Sequence, residues 1–170
     1  SGGSIGKNGI SSSISNYNYL KWATSTQGIN LPQGIIIYNG YLYVSNLNNI
    51  ISKISITDPT TDYKPIWATY YQGLNQPSGM AISNGYLYVS NSGNNTIGKI
   101  SLINPTTDYN PTWAIAVIGF QNPYGLIVYN DNVFVFNSIS NQNNKISKIN
   151  LGINDYNYNW VTFLGLNYSY

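Results

Sequence analysis

Residues 77–100 read PSGMAISNGYLYVSNSGNNTIGKI, and two features of that stretch decide the fold. Asn84-Gly85 separates two short runs, one ending at Ile82-Ser83 and one beginning at Tyr86. Both central positions of a two-residue hairpin need positive φ, which Asn and Gly adopt at least cost, so the stretch predicts an antiparallel hairpin. The run Tyr86-Leu87-Tyr88-Val89 is apolar at every position. A strand with one wet face alternates polar and apolar residues, so this one predicts burial on both faces.

The stretch recurs as PQGIIIYNGYLYVSN from Pro32 and as PYGLIVYNDNVFVFN from Pro123. In the third copy Asn130-Asp131 replaces Asn-Gly, and the turn is expected to survive with some strain because Asp still tolerates the left-handed region. Trp22, Trp67, Trp113 and Trp160 follow one another at intervals of 45, 46 and 47 residues. That period matches a four-stranded unit repeated around an axis, and it argues against Asn-rich disorder. A third strand is expected around 51–56 and a fourth around 66–70, with Pro59 and Pro65 marking places where the chain turns. The fold class expected is all-β: a β-propeller of four-stranded antiparallel blades, with three complete blades and a partial N-terminal blade. The divisions are 1–25 for the partial blade, whose third and fourth strands it supplies, then 26–71, 72–118 and 119–170. Residues 1–3 read as a cloning remnant.

Composition narrows function. The chain has 170 residues, 42% hydrophobic, 15% aromatic and only 7% charged, with no Cys and no His. All seven basic residues are Lys and all five acidic ones Asp. Thiol and imidazole chemistry is therefore absent from the chain, and a carboxylate pair would have to come from Asp alone. The expectation is a non-enzyme without a cofactor. The lysines are scattered, which disfavours nucleic acid, and no apolar run is long enough for a membrane span. The reading is of a soluble chain whose compartment the sequence does not name, with a virion or host cytoplasm as the settings its Asn- and Tyr-heavy composition suggests.

The motif P-x-G-I-A-V-x-x-x-G-x-L-Y-V-x-x-x-x-N-N-x-I-x-K-I resembles Pro77–Ile82 followed by Gly85–Ile100, and the chain is similar to NHL-repeat β-propellers over roughly residues 30–163. Its composition is similar to that of AT-rich giant DNA virus proteins. The resemblance implies a propeller. The basic top face of RNA-binding members and the His-metal centre of enzymatic ones have no matching positions here. Tyr38, Ser83 and Tyr129 stand where the family often carries an acid, and Arg is absent.

Candidate contact residues fall in the joints between units and in the loops between second and third strands. Gln33, Gln76, Gln121, Asn122, Asn48, Asn94 and Asn143 are the amides, and Tyr124 is the aromatic that replaces Gln33 and Ser78 of the other units. Planar rings and amides suit a protein or a glycan ligand. Asp58 and Asp62 could hold a hard cation, but Asp-Pro-Thr-Thr-Asp reads more simply as a turn, and no metal site is assigned. Lys53, Lys99 and Lys148 read as solvated residues that protect a sheet edge. Ser4–Lys7 echoes Thr96–Lys99, and the count of blades falls short of the four to eight of closed propellers. Closure by a second copy into six or seven blades is the reading adopted, ahead of a piece of a longer chain and of a four-bladed monomer.

Overall fold

The computed structural model describes residues 5–6, 21–114, 121–138, 144–152 and 156–162. Three four-stranded sheets follow the repeats: β3(Pro32–Tyr38) to β6(Tyr63–Ala68), β7(Pro77–Ser83) to β10(Tyr109–Ala114), and β11(Pro123–Tyr129) to β14(Tyr156–Thr162). Within each, sequential strands pair antiparallel in the order of the chain. A fourth, two-stranded sheet pairs β1(Ile5–Gly6) with β2(Lys21–Ala23). The hairpins form where the sequence places them: Asn39 and Gly40 have φ of 46° and 76°, and Asn84 and Gly85 49° and 77°. Asn130 and Asp131 adopt φ of 46° and 57°, so the turn keeps its form without glycine.

The first strands of successive blades lie side by side. A side chain on Gly34 would strike the Ser78 carbonyl oxygen, and one on Gly79 the Tyr124 carbonyl oxygen. The second strands add a latch. The Ser45 hydroxyl accepts from the Gly34 amide at 2.9 Å and donates to the Ser78 carbonyl at 2.6 Å. Ser90 repeats this, accepting from Gly79 at 2.8 Å and donating to the Tyr124 carbonyl at 2.9 Å. Each hydroxyl thus satisfies polar backbone that the blade contact has removed from water. Blade 3 carries Phe136 at this position, 39% exposed.

Away from these latches the blades meet through apolar side chains. Tyr43, Ile51 and Trp67 of blade 1 pack with Met80, Leu87 and Ile100 of blade 2, and Tyr88, Ile97 and Ala114 with Leu126, Val133 and Ile149 of blade 3. Trp67 meets Tyr43 edge-on at 5.0 Å between centroids, and Trp113 meets Tyr88 at 4.8 Å. The second strand is therefore covered on both sides, with Leu42 to Asn46 and Leu87 to Asn91 all buried. Trp22 and Ala23 cover Leu42, Val44 and Ile54 on the other side of blade 1.

Three expectations need correction. Pro65 does not mark a turn; it and its equivalent Pro111 lie within β6 and β10, at register shifts. The outermost strand leaves one side of its backbone unpaired, so a missing N–H is tolerated there. The fourth strand starts earlier than expected and stops at Ala68, because Tyr70 belongs to a 3₁₀ turn. Lys53 and Lys99 sit on third strands rather than on an edge, and their ammonium groups lie 3.8 and 3.9 Å from the ring centres of Tyr41 and Tyr86. Burial and the nearby Lys64 hold the Lys53 pKa below its ordinary value.

Candidate functional site

The two joints described in full are built by a short recurring device. Thr24 caps the 3₁₀ turn Ser25–Gln27 and Thr69 caps Tyr70–Gln72, with Gln27 and Gln72 closing the capping boxes. Gly28 and Gly73 then end the turns at φ of 87° and 84°, a conformation natural to glycine. The residue before the proline that opens each first strand is also left-handed: Leu31, Gln76 and Asn122 have φ of 51°, 48° and 47°. For non-glycine residues such a backbone costs roughly 1–2 kcal/mol, and the surrounding hydrogen bonds show what holds it. The carbonyls of Leu31, Gln76 and Asn122 accept from the amides of Leu47, Ser92 and Ser138. Asn49 Oδ1 accepts from the Gln76 amide at 2.7 Å, and Asn95 Oδ1 from the Asn122 amide at 2.6 Å.

Buried asparagines complete the frame. Asn46 Oδ1 accepts from the Asn30 amide at 2.9 Å and Asn91 Oδ1 from the Asn75 amide at 3.1 Å. Asn137 repeats the position, and its Oδ1 is the buried side-chain atom without a partner among the described residues. Much of the amide richness is thus scaffold. Asn30 and Asn48, with Ser25, Pro65 and Ile66, line a cleft of about 540 Å³ beside blade 1.

The expected contact residues divide accordingly. Gln33 and Tyr124 come together: the Tyr124 hydroxyl donates to Gln33 Oε1 at 3.2 Å, from blade 3 to blade 1. Tyr124 does not use Gln121 as its partner, and the Asn122 carboxamide donates instead to the Ser138 carbonyl at 3.1 Å. Gln76, Gln121, Asn122, Asn48 and Asn94 are exposed at the same end of the blades, and Asn94 Oδ1 accepts from the Thr96 hydroxyl at 2.8 Å. Asn143 lies outside the described residues.

The described carboxylates are gathered at one end of the blades. Asp58, Asp62, Asp108 and Asp131 all fall in turns that link first to second or third to fourth strands, while the described joints and two-to-three loops carry no charged residue. Asp58 is engaged by its own loop, accepting from the Thr60 hydroxyl at 3.0 Å and from the Thr61 amide at 3.2 Å. Hydrogen bonds from Thr61 and Thr60 hold its carboxyl below the usual range. Asp62 and Asp108 accept from the hydroxyls of Tyr41 and Tyr86 at 2.7 and 2.9 Å, which raises both tyrosine pKa values. Among the described residues no cluster of His, Cys, Asp or Glu is arranged to hold a metal.

Sequence reasoning missed Tyr70 and Tyr71. They are 59% and 69% exposed, with ring centroids 4.1 Å apart. The signal was available as a departure from the repeat, since Ser25 and Thr26 occupy the same turn in the joint before.

This architecture is a β-propeller. The structure is similar to a chain of the nidogen/laminin complex, with a TM-score of 0.60 and 19% identity over 81% of this chain and 49% of that one. It is similar to the extracellular domain of a putative hybrid two-component system of B. thetaiotaomicron, at a TM-score of 0.56 and 16% identity over 83% of this chain and 19% of that one. Kuenenia stuttgartiensis hydrazine synthase matches at a TM-score of 0.53 and 16% identity, over 74% and 34% of the two chains. At these identities the likeness is one of fold. The chain spans about half the length, or less, of the structures it matches. No protein-family model matches it, and no curated protein does.

Proposed function

We propose that this propeller is a non-catalytic recognition module that binds a protein ligand across the joint end of its blades. The observation that carries the reading is the contrast between the two ends: one bears the described carboxylates, while the other has no described carboxylate, only Lys145 where the third strand of blade 3 begins, and exposes Leu31, Leu47, Tyr70, Tyr71 and Tyr124. Exposed aromatic and aliphatic groups amid amides suit a desolvated protein contact better than an electrostatic one. Gln33, Gln76, Gln121, Asn122, Asn48 and Asn94 form its polar surround. The absence of His, Cys, Arg and Glu from the chain favours recognition over chemistry. Among the described residues no helix is long and apolar enough to cross a membrane.

The test is to select binders from a phage library of random peptides, screen a glycan array in parallel, and map each hit by hydrogen exchange. Protection of residues 69–77 and of Gln121–Tyr124 by a peptide supports the reading. Hits confined to glycans, or protection confined to the aspartate-bearing turns, would overturn it.

A second reading, self-association that completes the ring with six or seven blades, is favoured by the cut faces at either end. Ile35 is 60% exposed where its equivalents Met80 and Leu126 are each 7%, and Ile127 is 64% exposed where Ala81 is 4%. A propeller part in a particle, viral or otherwise, would use those faces. Sedimentation at micromolar concentration should then give the mass of two chains; a single-chain mass with cooperative melting removes this reading.

A further inference from the structure

A repeat protein supplies its own controls, because a residue that the scaffold needs recurs at each equivalent position. Thr24-Ser25-Thr26-Gln27-Gly28 and Thr69-Tyr70-Tyr71-Gln72-Gly73 build the same turn. The cap backbones agree, with Thr24 at φ −135° and ψ −167° and Thr69 at φ −135° and ψ −172°. The Thr24 and Thr69 amides donate to Gln27 and Gln72 Oε1 at 2.9 and 2.8 Å. Ser25-Thr26 therefore serves the fold as well as Tyr70-Tyr71 does. The tyrosines add two rings that remain more than half exposed, and nothing in the turn requires them.

Resting on the recognition reading above, we infer that Tyr70 and Tyr71 are the anchor at which the joint between blades 1 and 2 holds its ligand, and that the ligand is an uncharged, apolar or aromatic segment of a protein. Three observations specify that chemistry. The rings stack on each other at 4.1 Å with a tilt of 31°, which pre-orders a broad aromatic surface whose ordering cost is already met. The backbone polar groups of Gln76 in this joint are engaged: its amide donates to Asn49 Oδ1 at 2.7 Å, and its carbonyl accepts from the Ser92 hydroxyl at 3.0 Å. Gly73, which ends the turn, lies so close to Pro111 that a side chain there would strike the proline ring. What the joint offers is aromatic area without charge, the composition of an interface centre.

The repeat also provides the variant. Tyr70→Ser with Tyr71→Thr installs the residues of the preceding joint and keeps the turn, as circular dichroism and an unchanged melting profile would confirm. Peptides selected on the wild-type chain from a random phage library should lose about tenfold or more in affinity on this double variant, as expected for removal of an interface anchor. The affinity of these peptides should change little between low and high salt, since no charge faces them. Tyr129→Ser, which installs the residue of blade 2 at the opposite, hairpin end of the blades, should leave them bound. Peptides that map to the joint end yet keep full affinity for the double variant would overturn this inference and leave the recognition reading standing. Failure to select any peptide, or selection only at the aspartate-bearing turns, would overturn both.

Discussion

The hydroxyl of Tyr124 donates to Oε1 of Gln33 at 3.2 Å, across 91 residues of chain and from the first strand of blade 3 to that of blade 1. Between them in the series of first strands stands Ser78, too short to interrupt the contact. Because the bond is exposed, water replaces it readily when it is lost. Tyr124→Phe is expected to lower stability by only about 0.5 kcal/mol, the lower end for a single hydrogen bond. Urea unfolding of the two proteins measures this, and a loss several times larger would mean that the contact organises the ring rather than decorating its mouth.

The serine latches should behave differently. Ser45 and Ser90 are fully buried, and each satisfies an amide on its own blade and a carbonyl on the next. Ser45→Ala strands the Gly34 amide and the Ser78 carbonyl, and Ser90→Ala strands the Gly79 amide while the Ser78 hydroxyl still donates to the Tyr124 carbonyl at 3.0 Å, so each should cost about 1–3 kcal/mol with Ser90→Ala at the lower end. Chemical denaturation should show a lower midpoint with an unchanged slope.

Glycine supplies a paired comparison. Gly79→Ala drives a methyl into the backbone of Tyr124 and Gly125, which can yield only if the blades separate. Gly85→Ala meets nothing within 4 Å and suffers only from its φ of 77°. The second change should cost roughly 1–2 kcal/mol, the penalty for a left-handed alanine. The first should cost clearly more, and thermal melts of the two variants side by side decide the order.

Alkaline pH should unfold the protein earlier than ordinary tyrosines would allow. Burial pushes the hydroxyls of Tyr43 and Tyr88 up from 10.0 to about 12. The unfolded chain releases these protons first, so their contribution is intact below pH 10 and disappears as pH climbs from 10 to about 12. Stability measured by urea midpoints across that interval should fall steeply, and more gently in Tyr43→Phe and Tyr88→Phe. Equal slopes in all three proteins would show that other groups drive the transition.

Local chemistry alone carried the hairpins. Asn39-Gly40 and Asn84-Gly85 permit few other turns, and the unbroken apolar run Leu42–Val44 demands cover on both sides, so sheets stacked broad side to broad side were legible before any coordinates. The interval between tryptophans carried the repeat for the same reason: Trp67 and Trp113 each meet the strand-two aromatic of their own blade, Tyr43 and Tyr88. The places of Pro65 and Pro111 were not legible, because whether a strand lies at an edge depends on what pairs beyond it.

The sequence by itself determined the strands, their grouping in fours and the end of the blades at which amides gather, since these depend on near neighbours and on periodicity. Only the tertiary structure separated working amides from available ones. Asn49 and Asn95 look like Asn48 and Asn94 in the chain, yet the first pair brace left-handed joints 27 residues away. It also alone brought Tyr124 to Gln33 and left Tyr70 and Tyr71 in water. Which side chains meet across blades depends on the rotation of one sheet against the next, and no local pattern encodes that angle.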